Sequence, residues 1–183
     1  MKKALFSLCM LFLAATIQAQ EPLSFEKVIQ ADSLKKDVIY NGLKEWVGMN
    51  FKSAKSVIEM DDKEAGILLL RPVSNYSMKG LVYLGFEGYL KYTIKLNMKD
   101  GRFKVTVTNF EHSVLPGNCR DCNIGLITID EEYPYKYSFG AKGHMTKVWK
   151  DIKVKSELIA LNYFEEISKI KFNDTEVGGN DNW

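Results

Sequence analysis

The chain has 183 residues, of which 46% are hydrophobic and 26% charged, with 25 basic against 23 acidic residues. These values are typical of an ordinary globular chain of one domain and exclude a disordered or collagen-like protein. The formal charge of +2 also excludes a strongly basic protein of the kind that binds nucleic acid through its phosphates.

The first 19 residues have the pattern of a secretory signal peptide, with Lys2 and Lys3 before an apolar run over residues 4–15 and the small residue Ala19 at the cleavage site. The run has about a dozen residues, too few for a membrane span of about 20. We therefore expect an exported protein, periplasmic or extracellular and not membrane-spanning. Without Lys2 and Lys3 the basic and acidic residues are equal in number, which further disfavours nucleic acid as a partner.

The chain continues with a predicted strand and helix. Residues 24–29 form a β-type run, and apolar residues then recur at helical spacing over residues 34–47. Asp32 or Ser33 is positioned to cap the start of this helix. Gly48 is predicted to end it in the left-handed conformation.

Two short β-type runs follow, residues 55–60 and 66–70, and predict a hairpin around an acidic turn. The carboxylates of this turn lack the glycine and the ligand spacing of a calcium loop. We therefore interpret the turn as a solvated surface turn.

The clearest pattern is an alternation of apolar and polar residues over 89–111, interrupted by Asp100 and Gly101. A two-residue turn there places Met98 beside Phe103, and the next pairs are also apolar on both strands. These further pairs are Leu96 with Val105 and Ile94 with Val107. The opposite face carries lysines and threonines and is expected to meet water, so the sheet needs a cover on one face only.

A helical stripe of apolar residues over 148–170 predicts that cover, either as one long helix or as two helices separated at Ser156. Residues 173–183 are rich in glycine and polar side chains and predict a flexible C-terminal tail. The elements together predict a single α+β domain over residues 20–172, with an antiparallel sheet covered on one face by an N-terminal and a C-terminal helix.

Residues 31–69 combine a predicted helix that contains Trp46, a Phe-Lys-Ser-Ala phrase, an acidic turn and a glycine that opens a strand. The residues that carry this pattern are Ser33, Tyr40, Trp46, Phe51, Lys52, Ser53, Ala54, Asp62 and Gly66. In these residues the segment resembles the secreted bacterial family known as domain of unknown function 4468. The resemblance implies a fold similar to that of the TATA-binding protein, with a curved antiparallel sheet. It implies no activity, because a fold does not fix a function. We interpret the matched aromatic residues as core packing.

Cys119 and Cys122 form a Cys-x-x-Cys pair in a loop between two strand-like runs. In an exported protein such a pair is expected to form a disulfide. The β-type run that follows does not offer the helix N-terminus that stabilises the thiolate of a thioredoxin-like redox centre. The alternative is a metal site, in which the two histidines of the chain, His112 and His144, join the cysteines.

Aromatic residues alternate over 133–139, at Tyr133, Tyr135, Tyr137 and Phe139. In an extended strand these rings lie on one face, where an exposed row can stack on sugar rings or hold a hydrophobic partner. The alternative is that the rings pack against the sheet or the C-terminal helix, because aromatic residues in strands commonly serve packing.

The sequence contains no nucleophile elbow, phosphate-binding glycine loop or His-Glu-x-x-His motif. We therefore expect a non-enzymatic exported domain without a cofactor, which binds a cell-envelope protein or a glycan through the aromatic row over 133–139. The competing hypothesis is a metal- or thiol-dependent activity at the loop that contains Cys119 and Cys122.

Overall fold

The computed structural model describes residues 20–119, 122–136 and 142–172; the predicted signal peptide and the predicted C-terminal tail lie outside these ranges. Within them the chain forms a seven-stranded sheet with α-helices and a 3-10 helix. The strands are β1 (Ser24–Gln30), β2 (Ile58–Asp62), β3 (Ile67–Leu70), β4 (Val73–Tyr76), β5 (Gly88–Lys99), β6 (Arg102–Val114) and β7 (Gly125–Leu126). The α-helices are α1 (Lys36–Asn50), α2 (Ala54–Val57) and α3 (Lys142–Ser168), and the 3-10 helix is Leu81–Phe86.

All strand pairs of this sheet are antiparallel. The main order is β1-β6-β5-β3-β2, with β4 also beside β5 and β7 beside β6, so the sheet is open, with β1 and β2 at its edges. Helix α1 packs on β5 and β6, and α3 packs on β1 and β6. The predicted α+β class, with helices against an antiparallel sheet, is confirmed.

The predicted register of the long hairpin is also confirmed. Met98 pairs with Phe103, and the two further apolar pairs follow as the alternation requires. Gly101 adopts a φ of 75°, a left-handed conformation that costs glycine little and that the tight turn requires. The opposite face is less exposed to solvent than expected, because Thr93 and Thr106 are each only 9% exposed.

A β-bulge at Asn109 reverses the side-chain alternation of β6. The register with β5 shifts at this point, so that Asn109 and Phe110 together lie opposite Tyr92. Asn109 has a φ of 54°, a left-handed conformation in which Asn is enriched. As a result Phe110 and His112 point into the core, where an uninterrupted alternation would have placed Asn109 and Glu111.

The start of α1 is capped from a distant part of the chain. The prediction that Asp32 or Ser33 caps this helix is wrong, because neither side chain bonds its first turn. The backbone amide of Lys36 instead donates a 2.7 Å hydrogen bond to the carboxylate of Asp100 in the β5–β6 turn. Tertiary packing thus brings a carboxylate to a helix N-terminus, where N–H groups lack intrahelical partners.

The end of α1 also differs from the prediction. Gly48 lies inside the helix, which continues to Asn50 and reaches its C-cap at Phe51. Trp46 and Val47 are buried within the helix, and Phe51 follows its end with its ring centre 5.9 Å from that of Trp46. The glycine is tolerated as an exposed position rather than used as a stop signal.

The hairpin predicted for residues 55–60 and 66–70 forms as β2 and β3, but α2 occupies the beginning of the first run. The acidic residues at the end of β2 have structural partners. The side chain of Asp61 accepts a hydrogen bond from Tyr40 and pairs with Lys44. Asp62 accepts a hydrogen bond from the amide of Ala65 within the turn.

The second covering element is one continuous helix. Ser156 does not interrupt α3; its side chain is fully buried, and its hydroxyl has no hydrogen-bond partner among the described residues. The buried side of α3 packs toward the sheet. Its members are Met145, Val148, Trp149, Ile152, Ser156, Ala160, Phe164 and Ile167.

Candidate functional site

The first half of the predicted aromatic row packs onto α3. Tyr133 is 8% exposed, and its ring centre lies 5.8 Å from that of Trp149. Tyr135 lies 6.3 Å from the same indole, and its hydroxyl donates a 2.6 Å hydrogen bond to the carbonyl of Leu126. These two rings therefore follow the packing alternative, since Trp149 offers them an aromatic neighbour. Tyr137 and Phe139 lie outside the described residues.

The two cysteines of the loop lie at disulfide-bonding distance. The Cα atoms of Cys119 and Cys122 are 5.3 Å apart, within the range of disulfides. Cys122 is 3% exposed, and the pair packs against Gly85 of the 3-10 helix, where an added Cβ would approach the sulfur of Cys122 to 3.3 Å. The pair thus holds the loop against the 3-10 helix.

His112 is engaged at both ring nitrogens. Nε2 lies 2.9 Å from the carbonyl of Phe86, to which it donates, and Nδ1 accepts a hydrogen bond of 3.2 Å from the amide of Ile124. Burial lowers the pKa of this imidazole, although the bond to Phe86 opposes the shift. Metal binding at His112 would require one of these bonds to break, whereas His144 lies with its ring 5.8 Å from that of Tyr83. Among the described residues no three potential metal ligands cluster.

An aromatic-lined cleft lies elsewhere, between the C-terminal half of α3, the end of α1 and strands β4 and β5. Its volume is about 300 Å³. The lining residues are Asn50, Phe51, Ser74, Tyr92, Ile159, Asn162, Tyr163 and Glu166. A wider hollow of about 670 Å³ lies at the Asp100–Gly101 turn, but it is lined by polar, aliphatic and backbone groups without an aromatic ring.

Aromatic side chains form one wall of the cleft. The rings of Phe51 and Tyr163 are stacked, with centres 6.4 Å apart and an interplanar angle of 19°. Trp46 supports both rings edge-on from below, at 5.9 Å from Phe51 and 6.1 Å from Tyr163. Because Trp46 is only 6% exposed, it supports the wall from within and adds little surface to the cleft. This interpretation agrees with the core role predicted for it.

A chain of hydroxyl groups crosses the floor of the cleft. The Tyr92 hydroxyl lies 3.1 Å from that of Ser74 and 3.0 Å from that of Tyr163. Two hydrogen bonds among three hydroxyls use two of the three hydrogens, so one O–H remains able to donate. Burial raises the pKa of Tyr163 far above its ordinary value, with the neighbouring Tyr92 adding to the shift. The Tyr163 hydroxyl is therefore neutral at physiological pH.

The rim of the cleft carries amide and carboxylate groups. Asn162 and Glu166 are one helical turn apart on α3, and both are exposed. The side chain of Asn162 makes no hydrogen bond to another described residue. The side chain of Asn50 donates one amide hydrogen to the carbonyl of Trp46, and its amide oxygen stays available as an acceptor. The rim can thus donate and accept hydrogen bonds around an aromatic wall.

Sequence reasoning did not identify this cleft. Its residues come from four separate segments, and each segment has its own explanation in the core or on a wet surface. A weak sequence signal was present in α3, where Tyr163 lies between the polar residues Asn162 and Glu166 although the surrounding stripe is apolar.

A family model described as a domain of unknown function (DUF4468) with TBP-like fold matches residues 25–113. A solved DUF4468 family protein from Bacteroides ovatus superposes with a TM-score of 0.56 and 16% identity, covering 88% of this chain and 94% of that one. A solved TBP-like protein from Parabacteroides distasonis superposes with a TM-score of 0.53 and 10% identity, covering 82% and 95%. At these identities the likeness shows the fold alone. No curated protein sequence matches the chain.

Proposed function

Residues 25–113 belong to the DUF4468 family with TBP-like fold, and we propose that the chain is an exported, non-enzymatic domain that binds one sugar unit of a cell-envelope glycan in its aromatic-lined cleft. The observation that carries the proposal is the combination of a stacked Phe51–Tyr163 wall with free hydrogen-bonding groups around it. The family description names a fold and no activity, so the cleft is the basis of the proposal.

The chemistry of the lining matches that of a sugar. One face of a sugar ring is a patch of C–H groups that packs on an aromatic ring, while its hydroxyls need donors and acceptors at the edges. The cleft offers both, through the Phe51–Tyr163 wall and through the amide of Asn162. Its volume of about 300 Å³ lies at the lower end of small-molecule sites, which suits a single ring rather than an extended chain.

The described lining favours binding over hydrolysis. Among the residues that line the cleft, Glu166 alone carries a carboxylate. Glycoside hydrolysis ordinarily needs two carboxyl groups, one on each side of the bond. The raised pKa of Tyr163 also makes its hydroxyl a poor general base. These features support a domain that holds its ligand without cleaving it.

Export is supported by two independent features. The sequence of residues 1–19 has the pattern of a signal peptide. The cysteine pair at disulfide-bonding distance is compatible with an oxidising compartment. Within the described residues no helix has the length and apolar content needed to cross a membrane.

Titration with a panel of neutral monosaccharides and disaccharides, followed by NMR, tests the proposal. Asn162→Ala should weaken binding of the best ligand about five- to tenfold, since a hydrogen bond contributes about 1 kcal/mol. Asn41→Ala is the matched control, because Asn41 is also an exposed helical asparagine but lies away from the cleft. Absence of binding across the panel, or equal effects of the two variants, would contradict the proposal.

A further inference from the structure

The outer face of α3 carries an apolar stripe. Val154, Leu158 and Leu161 are 57%, 53% and 51% exposed. At about 100° per residue, spacings of four and three residues place these side chains within a sector of about 60°. A neighbouring cluster of half-exposed large apolar side chains is a typical feature of an interaction surface.

Charged residues extend this stripe in both directions, within about 20° of the same sector. Lys147 and Lys150 precede it and are exposed, and neither forms an ion pair or hydrogen bond with another residue of the described ranges. Glu165 follows it and pairs only at the surface with Lys169, both side chains being at least two-thirds exposed. The outer face of α3 therefore begins with two lysines, is apolar in its middle and ends with Glu165, whose carboxylate is shared with Lys169 at the surface.

The order of lysines, apolar residues and Glu165 along α3 is complementary to the same order on a second, antiparallel copy of the helix. Along the sequence, position 156 lies midway between Val154 and Leu158, and also midway between Lys147 and Glu165. A two-fold axis through that level would place Val154 of one copy opposite Leu158 of another, and each Lys147 opposite a Glu165. Two antiparallel α3 helices would then match apolar with apolar and cation with anion at both ends.

We propose that α3 is the interface of a symmetric dimer, in which two copies of this chain pack antiparallel along the stripe from Lys147 to Glu165. Such an isologous contact uses the same patch twice, so self-complementarity is what it requires. A different partner helix would need complementary apolar and charged groups but would not need the reversal symmetry that this stripe shows. The second copy is therefore the occupant that the charges favour.

The contact is small. The 19 positions of the stripe span about 27 Å of helix, and one helix from each copy gives an interface at the low end of stable size. The lysine stems can cover Leu161 while their ammonium groups reach the opposite carboxylates. We expect a weak dimer with a dissociation constant of about 0.1 mM, which forms and dissociates with concentration.

Analytical ultracentrifugation of the purified protein between about 10 μM and about 1 mM tests the dimer, over a range that brackets the expected dissociation constant. Leu158→Lys should leave a monomer throughout. Leu81→Lys is the matched control, since Leu81 is 87% exposed on the 3-10 helix and should leave self-association unchanged. A wild-type protein that stays monomeric at the highest concentration, or a dimer lost in Leu81→Lys but not in Leu158→Lys, overturns the interface.

A charge exchange tests the antiparallel register. Lys147→Glu and Glu165→Lys should each weaken the dimer at least fivefold at low salt, because each creates two like-charge contacts across the axis. The double variant restores opposite charges and should recover most of the wild-type affinity. If it fails to recover while circular dichroism shows an intact fold, the register is wrong. These measurements are made without any sugar present, so a failure of the dimer and a failure of sugar binding are distinguishable.

Discussion

Asp100 joins two elements of the fold. It lies in the β5–β6 turn, and its carboxylate accepts a 2.7 Å hydrogen bond from the amide of Lys36 at the start of α1. Loss of a helix cap costs about 0.5–2 kcal/mol, and loss of a negative charge at a helix N-terminus costs about 0.3–1 kcal/mol. We expect Asp100→Ala to lower the free energy of unfolding by about 1–2 kcal/mol.

Asp100→Asn is the matched comparison, because an amide oxygen still accepts the hydrogen bond but carries no charge. It should cost less than about 1 kcal/mol. In urea denaturation with an m-value of about 2 kcal/mol/M, the Ala variant should unfold about 0.5–1 M earlier than the wild type. Equal losses in the two variants, or a change below about 0.3 kcal/mol in both, would refute the capping role.

Three further predictions use the same denaturation assay. Phe110→Ala empties a fully buried site and should cost about 3–5 kcal/mol; a loss below about 1 kcal/mol would contradict the burial that the bulge produces. The hydrogen bond and ion pair from Lys44 lower the pKa of Asp61. Asp61→Asn should therefore lower the free energy of unfolding by about 0.5 kcal/mol at neutral pH, and the difference from the wild type should vanish as the pH falls below about 3.8. A difference that does not change with pH would argue against the pair. Replacing Cys119 and Cys122 together by Ser should cost about 2 kcal/mol without changing ligand binding in the cleft, and no change in stability would argue against a disulfide.

The register of the β5–β6 hairpin was predictable because two signals agree. The Asp100–Gly101 turn fixes which residues face each other, and only this register pairs apolar residues on both strands from Met98 to Val107. The bulge at Asn109 was not predictable from the same alternation, because a left-handed Asn looks like any polar residue in a strand. The bulge becomes evident only from the structure, in which Phe110 and His112 are buried.

The candidate site was harder to predict than the fold. The aromatic row drew attention because its spacing is regular, yet Tyr133 and Tyr135 find a neighbour in Trp149, which is distant in sequence. The cleft depends on residues whose local patterns indicate packing, and only the meeting of four segments leaves Phe51 and Tyr163 partly open to solvent. A surface formed by tertiary contacts leaves little trace in local periodicity.

The β-bulge connects the fold to the cleft. By placing two residues of β6 opposite Tyr92, it stacks Phe110 against that ring at 5.4 Å. Tyr92 is held from below in this way, and its hydroxyl reaches Ser74 on one side and Tyr163 on the other. Bulges are frequent where a side chain must be re-aimed near a functional site, and here the re-aimed contact supports the floor of the cleft.

Three sides of helix α3 have three different roles. The inner side of α3 packs on the sheet, and Asn162 on one flank borders the cleft. By helical geometry Asn162 lies about 80° from Val154 and about 40° from Leu158 of the stripe. None of Val154, Leu158 and Leu161 lines the cleft, so a dimer through the stripe would bring two clefts together without using their lining residues. If both proposals hold, a glycan with repeated sugar units would contact both clefts of one dimer, and its second contact would form at the high effective concentration of a linked site. Because such coupling is reciprocal, a repeating ligand should strengthen the weak dimer, whereas a single sugar should bind each cleft without changing self-association.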